Sequence, residues 1–341
     1  MMAMRGQTIR PAMAAMALTV AVLLGAPAPP AAAQAGARLY RIGVLEMVGA
    51  AANGENLGAF REGLRALGYV EGQNLAIEYR SAEGRPERLA ELAGELVRLK
   101  VDAMVTRGTA AALSAKHATG AIPIVMASSG EPAAEGVVAS LARPGGNVTG
   151  FHTMAPAELG GRRLALLREV VPGAARVGIL WNPADIQPPL LVRDTERVAR
   201  AMGMQLKSLE VQGRHGLATF EQAFEAALLG QVDAFIAVED YLTFSQRARI
   251  VDFAAMSRLP AIYGLREFVD AGGLMSYGVD RRDLFRRSAV YVHRILHGAR
   301  PGDLPVEAPT RFELAVNLGT ARALGLAIPP SLRRRADHVV P

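Results

Sequence analysis

Cysteine is absent from the 341 residues. Disulfides, thiol catalysis, thiolate-held zinc and a lipidated cysteine behind a leader are therefore excluded by inventory. Aromatic residues make up only 5% of the chain, with a single tryptophan. Nucleic-acid surfaces interleave aromatics with a cationic stripe. Here charge is scattered, and the net +6 owes much to Arg5 and Arg10 at the start and Arg333, Arg334 and Arg335 at the end, so no nucleic-acid partner is expected. Long apolar runs are missing as well: the most apolar stretch, 13–24, falls short of the ~20 residues that span a bilayer as a helix. No stable membrane insertion is expected.

Several catalytic signatures are missing too. Ser128 and Ser129 lack the Gly-x-Ser-x-Gly context of a nucleophile elbow. The loop 49–56 has two glycines but neither the dinucleotide fingerprint nor the Gly-Lys-Ser/Thr phosphate cradle. Of the six histidines, only His293 and His297 share i, i+4 spacing, and they do so without the Glu of the zinc motif. We expect no enzyme activity, no cofactor and no metal.

What is present begins with a leader. Arg5 and Arg10 precede the apolar run, and a Pro/Ala stretch then ends in Ala33-Gln34-Ala35. Basic, apolar and small-residue regions in that order mark a signal peptide over 1–35, cleaved after Ala35. Export to a periplasm follows.

Half of the residues are hydrophobic and 21% are charged, ample for the cores of two domains at this length. From Arg41 onward short apolar runs alternate with longer amphipathic stretches, the pattern of β-α units feeding parallel sheets. Strands are predicted at 41–47, 75–79, 103–106 and 122–126, with helices at 56–67, 86–99 and 109–117 between them. After Arg143-Pro144-Gly145-Gly146-Asn147 the alternation restarts. Helices at 158–170, 189–202, 219–229 and 244–257 then alternate with strands at 177–181, 205–209, 234–238 and 260–263. The tail adds a strand at 274–277, a helix at 281–296 and a last unit at 312–316 and 320–324.

The fold class is α/β, with two doubly wound Rossmann-like lobes joined by three crossover strands. Lobe one is assigned 39–150 plus 275–310, and lobe two 151–274 plus 311–341. Gly145-Gly146 and Gly272-Gly273 fall at two proposed crossovers, where glycine would serve either a hinge or an ordinary turn.

In open parallel sheets ligands bind at the carboxyl ends of strands, so the candidate residues follow each strand. In lobe one these are Glu46, then Gly108, Thr109 and Ala110 beyond Arg107, then Ser128, Ser129 and Glu131. Gly108-Thr109 opens a helix, where unpaired N–H groups and a hydroxyl suit a carboxylate, unless Thr109 only caps the helix. Glu131 suits an ammonium group, unless it belongs to a surface turn. In lobe two the candidates are Glu239, Asp240 and Tyr241, then Tyr263 with Glu267 close behind, and Tyr277. The tyrosines would wall an apolar ligand part, or simply pack.

Four blocks extend the reading beyond single motifs: "GLRALGYVEGQNLAIEYRSAEG" from Gly63, "SLARPGGNVTGF" from Ser140, "REFVDAGGLMSYG" from Arg266 and "LPVEAPTRFELAVNLGTARALGLAIPPSL" from Leu304. Together they make the chain, from about Arg41 to Val340, resemble the ABC transporter substrate-binding protein family, whose better-known members bind tryptophan and related aromatic amino acids. The resemblance implies a type I periplasmic binding fold, a small organic ligand, a permease and an ATPase as partners, and no catalysis. A monomer is expected, because a closing two-lobed receptor needs no symmetric partner.

The sequence departs from the family pattern at Gly130-Glu131-Pro132-Ala133, where Gly-Asp-Pro-Val is usual, and at Gly319, where a lysine is frequent. A longer carboxylate at Glu131 implies a different ligand preference if that side chain touches ligand. Two other functions remain open to the sequence: a sensor that docks on a membrane receptor, and an exported enzyme using Glu131, Glu239 and Asp240 as acid and base.

Overall fold

The computed structural model describes residues 38–153, 158–184, 188–212 and 217–341. The predicted leader at 1–35 lies outside them.

The first sheet is all parallel. It comprises β1 (Tyr40–Glu46), β2 (Leu75–Ser81), β3 (Ala103–Arg107), β4 (Ile124–Ser129) and β5 (Val148–His152), in the order β2-β1-β3-β4-β5. Helices α1 (Gly54–Ala66), α2 (Leu89–Arg98) and α3 (Thr109–Ala118) connect its strands.

The second sheet holds seven strands: β6 (Arg176–Trp181), β7 (Gln205–Glu210), β8 (Ala234–Ala237), β9 (Ala261–Tyr263), β10 (Met275–Val279), β11 (Phe312–Asn317) and β12 (His338–Val340). Their order is β12-β11-β10-β9-β8-β6-β7, with β11 antiparallel to β10. Around these strands run α4 (Glu158–Val170), α5 (Pro188–Ala201), α6 (Leu217–Leu229), α7 (Tyr241–Ser245), α8 (Arg247–Met256), α9 (Arg266–Asp270), α11 (Leu318–Leu324) and α12 (Pro330–Arg335), whereas α10 (Arg281–Leu296) returns to cover the first sheet.

Each sheet is covered on both faces, which is why its strands read as nearly continuous apolar runs. In the first sheet Ile42, Val44, Val105 and Val125 point to one face, against Leu57, Phe60 and Leu64 of α1 and Leu284, Phe285 and Val292 of α10. Their neighbours Leu45, Met104, Ile124 and Met126 point to the other, against Leu92 and Leu96 of α2 and Ala111 and Ala115 of α3. In the second sheet Val177, Ile179, Ile236 and Ile262 meet Leu164, Leu167 and Val170 of α4. Phe235, Ala237 and Tyr263 meet Phe220 of α6 and Ile250 and Phe253 of α8 on the opposite face. This is the period-2 alternation of strands sandwiched between helices.

The chain passes between the sheets three times: after β5, at Asp280 between β10 and α10, and between Glu307 and β11. Three connections accord with the expected fold class, but their positions correct two expectations. Met275–Val279, assigned to lobe one, pairs with β9 and β11 in the second sheet. Phe151 and His152, assigned to lobe two, end β5 in the first.

The four candidate hinge glycines also sit elsewhere than on these passages. Gly145 and Gly146 precede β5 and lie against the 301–303 turn, with the Gly145 N–H donating to the Gly302 carbonyl at 3.3 Å. Gly272 (φ +103) and Gly273 turn the chain from α9 into β10 inside the second layer. A Cβ on Gly273 would lie 2.5 Å from the Tyr263 ring, so close packing accounts for glycine there. The single helix expected over 244–257 is two, because Asp240 starts a capped turn earlier, at Tyr241.

Candidate functional site

A cleft of about 1000 Å³ lies between the carboxyl ends of the two sheets. Segments after β1, β3, β4 and β5 line it from one side, and segments after β6, β8, β9 and β10 from the other. Glu46, Gly108, Thr109, Ala110, Ser128, Ser129, Glu131, Glu239, Asp240 and Tyr241 all border it.

On the first-sheet side the dominant feature is the start of α3. Gly108 holds φ +86, a conformation that favours glycine. Its N–H donates to the Ser128 carbonyl at 2.7 Å, and the first helical bond is Ala112 N–H to Gly108 O at 3.1 Å. The N–H groups of Thr109, Ala110 and Ala111 have no hydrogen-bond partner among the described residues. Three donors at the positive end of a helix face the cleft, an arrangement suited to a carboxylate.

The Thr109 hydroxyl does not cap α3. It lies 3.1 Å from Ser129 Oγ, accepts from the Gly130 N–H at 3.0 Å and donates to Glu135 Oε1 at 3.1 Å. Glu135 Oε1 also accepts the Glu131 N–H at 2.9 Å. The hydroxyl thus ties the loops after β3 and β4 into one wall.

Glu46 is fully buried behind this wall. Its Oε1 accepts from Asn53 Nδ2 at 2.7 Å and from the Tyr79 hydroxyl, and its Oε2 lies 3.5 Å from Arg107 Nη1. Burial pushes the Glu46 carboxyl above its ordinary range, and the Arg107 charge opposes that shift. Glu46 therefore serves to hold Arg107, which also donates to Asn53 Oδ1 at 3.0 Å and lies 5.0 Å from the centre of the Phe244 ring.

On the second-sheet side Glu239 plays a matching part. Its Oε1 accepts from Arg163 Nη2 at 2.7 Å, and Arg163, with no exposed side-chain surface, also donates from Nε to the Tyr277 carbonyl at 2.8 Å. Asp240 accepts from the Thr243 N–H at 2.6 Å and starts α7. Tyr241 reaches over the cleft, so that a Cβ on Gly84 of the β2–α2 loop would fall 2.3 Å from its hydroxyl oxygen.

Three candidates do not border the cleft. Tyr263 is fully buried and stacked on Phe268 at 4.8 Å, because β9 is central and both its faces are covered. Tyr277 lies against Phe312 of the neighbouring strand and accepts a hydrogen bond from Arg162. Glu267 lies in α9, one position beyond the start of that short helix.

The sequence does not single out Asn53, His152, Phe244 or Arg281, all placed at or behind the cleft. Position shortly after a predicted strand is the available signal for Arg281, whereas His152 ends β5, a strand that the sequence does not predict. Phe244 reads as helix core, and Asn53 enters only through side-chain bonds that no spacing reveals.

The family model for ABC transporter substrate binding proteins matches residues 41–340. The chain is similar to a tyrosine-binding protein of Clostridioides difficile, 26% identical over 269 residues, spanning 78% of this chain and 75% of that one. It is also similar to a crystallised conserved domain protein of Vibrio cholerae, with TM-score 0.79 and 27% identity over 89% of this chain and all of that one. A Streptococcus pneumoniae ABC domain in complex with L-Trp gives TM-score 0.78 and 26% identity, again over 89% of this chain and all of that one. The shared architecture is the type I periplasmic binding fold.

Proposed function

The chain belongs to the ABC transporter substrate-binding protein family, and from that premise we propose that it captures a small organic ligand, amino-acid-like or aromatic, in the cleft between its sheets. It then delivers that ligand, after export to the periplasm, to the permease and ATPase of an ABC importer. The observation that carries this reading is the start of α3. Three unpaired N–H groups and the Thr109–Ser129 hydroxyl pair face a cavity large enough for an amino acid.

The opposite wall supports it. Tyr241 offers a phenol to the rest of the ligand, and Asp240 borders the cleft with its carboxylate engaged by Thr243. The named ligands of the relatives, tyrosine and L-Trp, each carry the carboxylate that α3 suits. Closure is supported by contacts between the two layers: Arg107 on Phe244, Tyr241 on Gly84, and the ion pair of Arg266 in α9 with Glu55 in α1.

A thermal-shift screen of ligand-stripped protein against amino acids, aromatic acids, small carboxylates, nucleobases and oligopeptides tests the reading. A ligand at ~100 times its Kd adds about 2.7 kcal/mol. Saturable stabilisation by one carboxylate-bearing class, weakened in Thr109→Val, is the expected result. Recovery of chemically altered ligand would overturn it in favour of an enzyme.

A further inference from the structure

The arginines around the cleft are not alike. Arg107 is bonded to Asn53, lies near Glu46 and rests on Phe244. Arg163 is bonded to Glu239 and to a backbone carbonyl. Arg281, which also lines the cleft, makes no hydrogen bond and no ion pair within 4.0 Å among the described residues. It is partly buried and opens α10 at the second passage between the sheets.

The charges that act on Arg281 most strongly are Arg107, which repels it, and Glu267, Glu239 and Glu46, which attract it from beyond contact distance. Two of those carboxylates are already engaged, Glu46 by Asn53 and Tyr79 and Glu239 by Arg163. Burial, with the nearby Arg107 charge, pulls the Arg281 guanidinium down to about 10. A cation withdrawn from water without a contacting anion is costly, and the cost is recovered when an anion arrives.

Resting on the cleft reading above, we propose that the ligand carries a second anionic group, a carboxylate beyond the one that α3 takes, and that Arg281 binds it. The substrate class is then an acidic amino acid or a dicarboxylate-bearing aromatic rather than a neutral aromatic amino acid.

The test uses two matched pairs of probes, L-phenylalanine with 4-carboxy-L-phenylalanine and L-glutamine with L-glutamate, titrated calorimetrically into the ligand-stripped chain and into Arg281→Gln. In the wild type the acid of at least one pair binds about tenfold or more tighter than its neutral partner, and Arg281→Gln brings that ratio close to one. Arg281→Lys retains part of the preference. In the absence of ligand, Arg281→Gln melts at the wild-type temperature or above it, because an unpaired cation has been removed. Three results overturn the inference and leave the cleft reading in place: neutral partners binding as tightly as the acids, a ratio that survives Arg281→Gln, or a fall in the ligand-free melting temperature of that variant. Binding of no probe from either pair overturns the inference, while the cleft reading stands or falls on the wider thermal-shift screen.

Discussion

The guanidinium of Arg107, at the end of β3, lies 5.0 Å from the ring centre of Phe244 in α7, so a first-sheet cation rests on a second-sheet aromatic face. Arg247 lies 4.8 Å from the centre of the same ring. The Arg107–Phe244 contact spans the cleft between the two sheets.

A double-mutant cycle on stability with Arg107→Met and Phe244→Leu measures that contact. The expected coupling is about 0.5–2 kcal/mol, the range for a cation over an aromatic face. Additive effects would show that the two side chains do not interact in solution.

Gly264, just after β9, leaves room for a buried ion pair. A Cβ there would fall 1.9 Å from Glu239 Oε2 and 2.8 Å from Arg163 Nη2. Gly264→Ala should separate that pair and cost about 3–5 kcal/mol in urea unfolding. A loss below about 1 kcal/mol would mean that the strand end yields.

The Thr109 hydroxyl joins Ser129, Gly130 and Glu135. Thr109→Val keeps the shape and removes those bonds, so it should lower stability by about 1–3 kcal/mol and weaken ligand binding, whereas Thr109→Ser should be tolerated. Calorimetry and denaturation of both variants decide the matter.

His152 ends β5 with Nδ1 buried and unpaired among the described residues, and burial lowers its pKa from the ordinary 6.5. The unfolded chain then binds the proton more readily than the folded one. The stability linked to His152 is present above pH 6.5 and is lost as pH falls from there through the lowered folded value. Melting curves of wild type and His152→Gln should therefore diverge on acidification below that point, with the wild type losing more.

How far the sequence reveals this architecture depends on whether the information is local. Alternating strands and helices are written in short-range periodicity, and the residues following β1, β3, β4 and β8 are found at the cleft because carboxyl ends converge in a parallel sheet. The allegiance of β10 is not local. It is fixed by antiparallel pairing with β11, Met275 against Val316, across a segment that visits the other sheet. Gly272 and Gly273 read in the sequence as a crossover, whereas the passage falls at Asp280, where the side chain caps α10. Tyr263 misleads for a related reason: its position after a strand core is right, but the helices on both faces of β9 bury it. Arg281 becomes conspicuous only when its surroundings are known, since an arginine at the start of a helix is unremarkable in a sequence.

We propose above that the cleft between the two sheets holds the ligand. A crystal structure of the chain with the compound that stabilises it most tests this directly. Density is expected between the start of α3 and Asp240–Tyr241, with a carboxylate within hydrogen-bond reach of the N–H groups of Thr109, Ala110 and Ala111. The compound bound elsewhere, with only water between the sheets, would contradict it.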